Sequence, residues 1–149
     1  MPESVTSLPP ALETIVNRLQ RAHPAKMKYE LLIRYGQKLP PFPEAERVPE
    51  NQVKGCVSQA WLVTHYDDQG RVQIAADADS QLVKGLLAIL VLGLGGLTPA
   101  EILAVPSDFI KLTGLDVSLT PSRNNGFMNA VQFLKRQVAA YAAESQVTH

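Results

Sequence analysis

Arg71-Val72-Gln73-Ile74-Ala75-Ala76-Asp77-Ala78 sorts its side chains into two faces, with Val72, Ile74, Ala76 and Ala78 on one and Arg71, Gln73, Ala75 and Asp77 on the other. A period of two is the signature of a half-buried antiparallel strand. Residues 57–66 are strand-prone, and Asp67-Asp68-Gln69-Gly70 between the two runs is a turn sequence, so 57–78 is expected to form a β-hairpin. Asp79 or Ser80 is placed to cap a helix over 81–92 by accepting from its first free N–H groups. Val83, Leu86, Leu87, Ile89, Leu90, Val91 and Leu92 leave that helix almost no polar face, which makes it the expected centre of the core.

Outward from the hairpin the pattern turns helical on both sides. Leu12, Ile15, Val16 and Leu19 follow helical spacing after Pro9-Pro10 and stop before His23-Pro24; Met27, Leu31, Leu32 and Tyr35 mark a second helix ending near Leu39. Pro40-Pro41-Phe42-Pro43 forbids helix, and a loop with Glu44, Glu46 and Arg47 at its middle runs on to Gln52. Beyond the core helix, Gly93-Leu94-Gly95-Gly96 reads as a stop, and Thr98-Pro99-Ala100-Glu101 as a capping box opening a short helix to about Ala104. Residues 106–112 suggest another helix, closed by Gly114. Thr120-Pro121 opens the last, in which Phe127, Val131, Leu134, Val138 and Tyr141 step by helical intervals. The expected fold is α+β: a small antiparallel β-sheet with helices from both ends of the chain packed on one face, in a single domain over 1–149.

Composition narrows the function. The 149 residues suffice for one core without a staple. Fourteen Lys plus Arg balance fourteen Asp plus Glu, so no net field draws in nucleic acid. No charge-free apolar run reaches the length of a membrane span, and residues 1–10 lack the basic start and apolar centre of a signal peptide, so a soluble, cytoplasmic protein is expected. One cysteine cannot form an internal disulfide, and His23, His65 and His149 are too scattered for a zinc set; neither a metal nor a cofactor is expected. The Gly93–Gly96 run does not lie between a strand and a helix, as a phosphate loop requires, and Asp67, Asp68, Asp77 and Asp79 do not have calcium-loop spacing.

The lone cysteine lies in Asn51-Gln52-Val53-Lys54-Gly55-Cys56-Val57-Ser58-Gln59-Ala60-Trp61, which also holds the only tryptophan. Three readings of Cys56 fit its flanks. A free thiol with a pKa of about 8.5 is a useful nucleophile only near a cation or hydrogen-bond donor, and Lys54 in sequence or Arg123 at the start of the last helix are candidates. A Cys-His hydrolase or transferase pair would need a histidine within reach, whereas His65, nine residues along an extended chain, lies roughly 30 Å away. An inert buried filler is the third reading, against which stand the polar flanks Lys54-Gly55 and Ser58-Gln59.

Several separated motifs in one order resemble the SufE-like sulfur-acceptor proteins of iron–sulfur cluster assembly. They are Tyr35-Gly36-Gln37-Lys38-Leu39-Pro40, Arg47 with the 51–61 stretch, Ala76-Asp77-Ala78-Asp79-Ser80 with Val83-Lys84-Gly85-Leu86, Leu97-Thr98-Pro99, and Leu119-Thr120-Pro121-Ser122-Arg123-Asn124-Asn125-Gly126. The likeness runs over about 27–142, with 1–26 matching poorly. It implies that Cys56 accepts sulfane sulfur as a persulfide from a pyridoxal-phosphate cysteine desulfurase (SufS-like), stimulates that enzyme, and hands the sulfur to an iron–sulfur scaffold (SufBCD-like). It also implies supporting roles: Gly55 as the loop's hinge, Lys54 and Arg123 as stabilisers of thiolate charge, Asp79 beside the acceptor loop unless it merely caps a helix, and Ser58, Gln59 and Trp61 beneath it. The alternative is a non-catalytic binding module that regulates a desulfurase through its surface alone.

Overall fold

The computed structural model describes residues 8–55 and 58–147. The hairpin is present: β1 (Ala60–Tyr66) pairs antiparallel with β2 (Val72–Ala78), placing Ala60 opposite Ala78, Leu62 opposite Ala76 and Tyr66 opposite Val72. Val72, Ile74 and Ala76 are buried and Gln73 is exposed, as the alternation requires. The turn is held by the Asp67 carboxylate, which accepts from the backbone N–H of Gln69 and of Arg71, each at 2.9 Å, while Gly70 takes the left-handed φ of 77°. β1 begins at Ala60, not at 57. Ser58 and Gln59 already belong to the connection that precedes it, and Val57 lies outside the described residues.

Helices from both ends of the chain cover this sheet. The helices are α1 (Pro10–Arg21), α2 (Ala25–Gln37), α3 (Gln81–Leu94), α4 (Pro99–Leu103), α5 (Leu115–Ser118) and α6 (Pro121–Val147). The apolar α3 lies on β2 and under both α1 and α2, and α6 packs on β1. Leu86, Leu87, Ala88, Ile89 and Leu90 are all buried, so the helix without a polar face is the centre of the core. The inward stripe of α6 meets it through Phe127, Val131, Leu134 and Val138, and Tyr141 continues that stripe by stacking on Tyr66 of β1, ring centres 3.5 Å apart. The architecture is α+β.

Local details depart from expectation in three further places. α3 runs two residues past 92, through Gly93 and Leu94, because Gly93 is where α1 crosses: a Cβ there would come within 2.9 Å of Leu12 Cδ1. The stop comes at Gly95. Residues 106–112 do not form a regular helix; a 3-10 turn begins at Phe109 and runs to Thr113, and α5 follows it directly across the left-handed Gly114 (φ 81°). Thr113 joins the two, its hydroxyl donating to Ile110 O at 2.6 Å and accepting from Leu115 N at 3.0 Å. The 40–52 loop is not bare either: it contains 3-10 turns at Glu44–Glu46 and Pro49–Asn51, and Phe42 is buried. The Thr98–Glu101 capping box forms with both reciprocal bonds.

One buried charge fastens the N-terminal helix. Lys28 of α2 is only 5% exposed, and its ammonium donates at the end of α1 to the carbonyls of Leu19 (2.6 Å), which also accepts from the C-cap Ala22 N–H, and Gln20 (3.4 Å). Burial pushes its pKa down. Lys28→Met keeps the stem and removes both charge-assisted hydrogen bonds; urea unfolding is expected to show a loss of about 1.5–3 kcal/mol at unchanged m-value.

Candidate functional site

The chain entering the cysteine stretch is hydrogen-bonded to the chain leaving it. Gln52 forms an antiparallel bridge with Trp61, and Val53 N–H donates to Ala60 O at 2.8 Å. Gln52 and Val53 therefore run along the start of β1, and residues 54–59 connect the two limbs. Cys56 and Val57 themselves lie outside the described residues. On the entry side Lys54 and Gly55 are exposed, and Gly55 sits at φ 78°, a conformation that a side chain disfavours. On the exit side Ser58 is half-buried and Gln59 exposed, and the Gln59 carbonyl accepts from Asp79 N–H at 3.0 Å.

Among the sequence-identified residues, the structure thus brings Asp79 to the exit limb, by its backbone. The helix cap is Ser80, whose Oγ accepts from Val83 N at 3.3 Å; the Asp79 side chain is exposed and has no capping bond. Arg123 lies in the first turn of α6, half-buried, with its Nε buried and unpaired among the described residues, as is Oδ1 of the adjacent Asn124. No hydrogen bond joins Arg123 to Lys54 or Gly55 among those residues. His65 is occupied elsewhere: it is five residues up β1 from Ala60, about 17 Å along the strand, and its Nε2 lies 2.8 Å from Glu46 Oε1.

Two contributors have no role assigned to them by the sequence. Asn129, farther along α6, donates through Nδ2 to Gly55 O at 3.4 Å, and a Cβ on residue 55 would fall 2.2 Å from that nitrogen. Nothing local to either residue signals a contact across 74 positions. Arg47 is the second. Its Nη2 is 2.5 Å from Asp77 Oδ2 and its Nε 2.9 Å from Glu44 Oε1, and its guanidinium carbon is 5.2 Å from the centre of the Phe42 ring and 5.0 Å from that of Trp61. Asp77 is also the cross-strand partner of Trp61 and lies 3.4 Å from Lys84 Nζ.

Burial tends to raise the Asp77 pKa, but the hydrogen bonds from Arg47 and the Ala78 backbone, with the Lys84 charge, outweigh it and hold it below the usual 3.8. A folded-state value below the unfolded one contributes stability above the unfolded pKa that is lost as pH falls through the folded one. Melting temperature followed downward from about pH 5 should drop less steeply below about pH 4 for Asp77→Asn than for the wild type.

Known proteins are similar to this chain in sequence and in fold. The SufE family, described as an Fe-S metabolism associated domain, matches residues 13–138. A SufE-like protein of Synechocystis is 48% identical over 135 residues, covering 91% of this chain and 84% of that protein. SufE-like protein 1, chloroplastic/mitochondrial, of Arabidopsis thaliana is 43% identical over 135 residues; the match covers 91% of this chain but 36% of that longer relative. A hypothetical protein from Thermus thermophilus, solved in solution, superposes with a TM-score of 0.78 at 26% identity, covering 91% of this chain and 98% of that one. Among the described residues no helix is long and apolar enough to cross a membrane. On the hairpin-and-helix fold, the motifs in their order and these matches, the chain belongs to the SufE-like family and has its role in Fe-S metabolism.

Proposed function

We propose that this protein is a sulfur carrier. Cys56 takes sulfane sulfur from the active-site persulfide of a PLP-dependent cysteine desulfurase, stimulates that enzyme by clearing its persulfide, and passes the sulfur to an iron–sulfur scaffold. The observation that carries the reading is the setting of the only cysteine, in a connection whose two limbs are tied at Val53–Ala60 and whose near neighbours Lys54, Gly55 and Gln59 are exposed. A thiol offered to a visiting protein needs a fixed base and accessible flanks.

The chemistry is thiol exchange. The Cys56 thiolate attacks the outer sulfur of the desulfurase persulfide, a new S–S bond forms to Cys56, the old one breaks, and the desulfurase cysteine leaves as thiolate. One S–S bond replaces another, so no oxidant, metal or cofactor is consumed by the acceptor. Lys54 and Arg123 favour the anionic forms of the thiol and persulfide, the more so for Arg123 because its Nε has a donor to spare. Gly55 supplies the backbone conformation ahead of the thiol, Asp79 holds the exit limb at Gln59, and Ser58 and Trp61 lie at its base. A compartment that keeps thiols reduced, such as the cytoplasm, suits this chemistry.

The test is capture. Incubation with a cysteine desulfurase under mild oxidation should yield a disulfide-linked complex whose proteolytic cross-linked peptide contains Cys56 and the desulfurase nucleophile. Failure to capture any desulfurase through Cys56 would remove the carrier reading.

A further inference from the structure

We infer that Arg47 is a positioning residue for the sulfur-transfer step, fixing the pairing of Gln52 and Val53 with Trp61 and Ala60 on the two limbs that flank the cysteine position. The inference rests on the sulfur-carrier reading for its consequence, though not for its geometry. The guanidinium sits over one cross-strand pair, bonded to Asp77 of β2 and packed on Trp61 of β1, and it lies over the Phe42 ring as well. The site is three-quarters buried at Arg47 and more so at Asp77, whose side chains are 25% and 18% exposed. From Arg47 the chain is led by the Pro49–Asn51 turn, and by Asn51 Nδ2 donating to Glu46 O at 2.9 Å, to the Gln52–Trp61 bridge. A strand edge pairs equally well one step away, and a slip by one residue turns every side chain over. Because Arg47 grips the same Trp61 that Gln52 must face, it selects one register for the two limbs, Gln52–Val53 and Ala60–Trp61. Only a planar fork pairs with Asp77 and Glu44 while lying on two rings, which lysine cannot do.

The test is Arg47→Lys, with Asp77→Asn as its counterpart from the strand side and Glu44→Ala, which removes only the contact to a carboxylate 86% exposed, as the neutral control. Amide exchange at Val53, the donor to Ala60, should quicken about tenfold in both of the first two variants and stay unchanged in the control. Persulfide formation from a desulfurase should slow by about tenfold or more, since a misplaced group loses rate steeply, while alkylation of Cys56 by iodoacetamide should not slow. A circular-dichroism melt confirms that each variant is folded at the assay temperature. Unchanged Val53 exchange overturns the register role, whatever the thiol carries. Quickened exchange with unchanged sulfur uptake, or with alkylation slowed as much as uptake, overturns the positioning role. If the wild type takes up no sulfur, the carrier reading fails instead, and the exchange result still decides the geometry. Should Arg47→Lys not fold, Asp77→Asn alone must show the split or the inference falls.

Discussion

Cys56→Ala is expected to abolish stimulation of a cysteine desulfurase, bringing its turnover of cysteine back to that of the enzyme alone. The persulfide on the desulfurase must be cleared before another turnover, and the step that clears it needs a thiolate as acceptor. This chain has no second cysteine to substitute. The methyl group of alanine is smaller than the thiol and carries no charge, so the exposed surface of Lys54, Gly55 and Gln59 is kept. That separates two accounts which the family likeness by itself leaves together. A regulator acting through its surface would stimulate equally well without the sulfur atom; a carrier would not stimulate at all. Desulfurase turnover measured at saturating concentrations of each protein decides between them, and stimulation by Cys56→Ala equal to the wild type's would contradict the carrier account.

Gly85→Ala is expected to cost about 3 kcal/mol of stability, the upper part of the usual range for overpacking. In an isolated helix the same change gains about 1 kcal/mol, because glycine has the greater backbone entropy to lose. Here the sign reverses for a reason that is fixed in backbone atoms. A Cβ on residue 85 would lie 2.3 Å from the Leu32 carbonyl oxygen and 2.6 Å from its carbon, so no side-chain rotation relieves it and α2 must move off α3. Gly36 stands across the same crossing, but a Cβ there would meet Gly85 N at 3.2 Å, and Gly36→Ala should therefore cost distinctly less. Paired urea unfolding curves test the order. Equal stability of Gly85→Ala and wild type would mean that the crossing widens freely and that the close approach does not hold the core together.

The parts of the fold visible in the sequence are those written in burial periods. Val72, Ile74 and Ala76 repeat every second residue, and Phe127, Val131, Leu134 and Val138 follow the turn of a helix; each set is buried as a set. Proline and capping chemistry placed most boundaries, as at Thr98–Glu101. What escaped was short or contextual. α5 is four residues long, too short for any period to register. Gly93 reads as a stop by itself and is a helical residue here because Leu12, 81 positions earlier, leaves room for nothing larger. The site divides in the same way. The stretch around Cys56 announced itself by its lone thiol, whereas Arg47 with Asp77 and Asn129 with Gly55 are contacts across 30 and 74 positions that no local pattern encodes. In the sequence Arg47 reads as part of a family motif with no physical role attached; the role emerges only once β2 brings Asp77 within reach of it.

The most direct measurement is the intact mass of the protein after incubation with a cysteine desulfurase and L-cysteine. The account predicts a species heavier by one sulfur atom, removed by reductant, mapped to the peptide that contains Cys56, and missing from Cys56→Ser. A wild-type protein that speeds the desulfurase yet never gains that mass would contradict it.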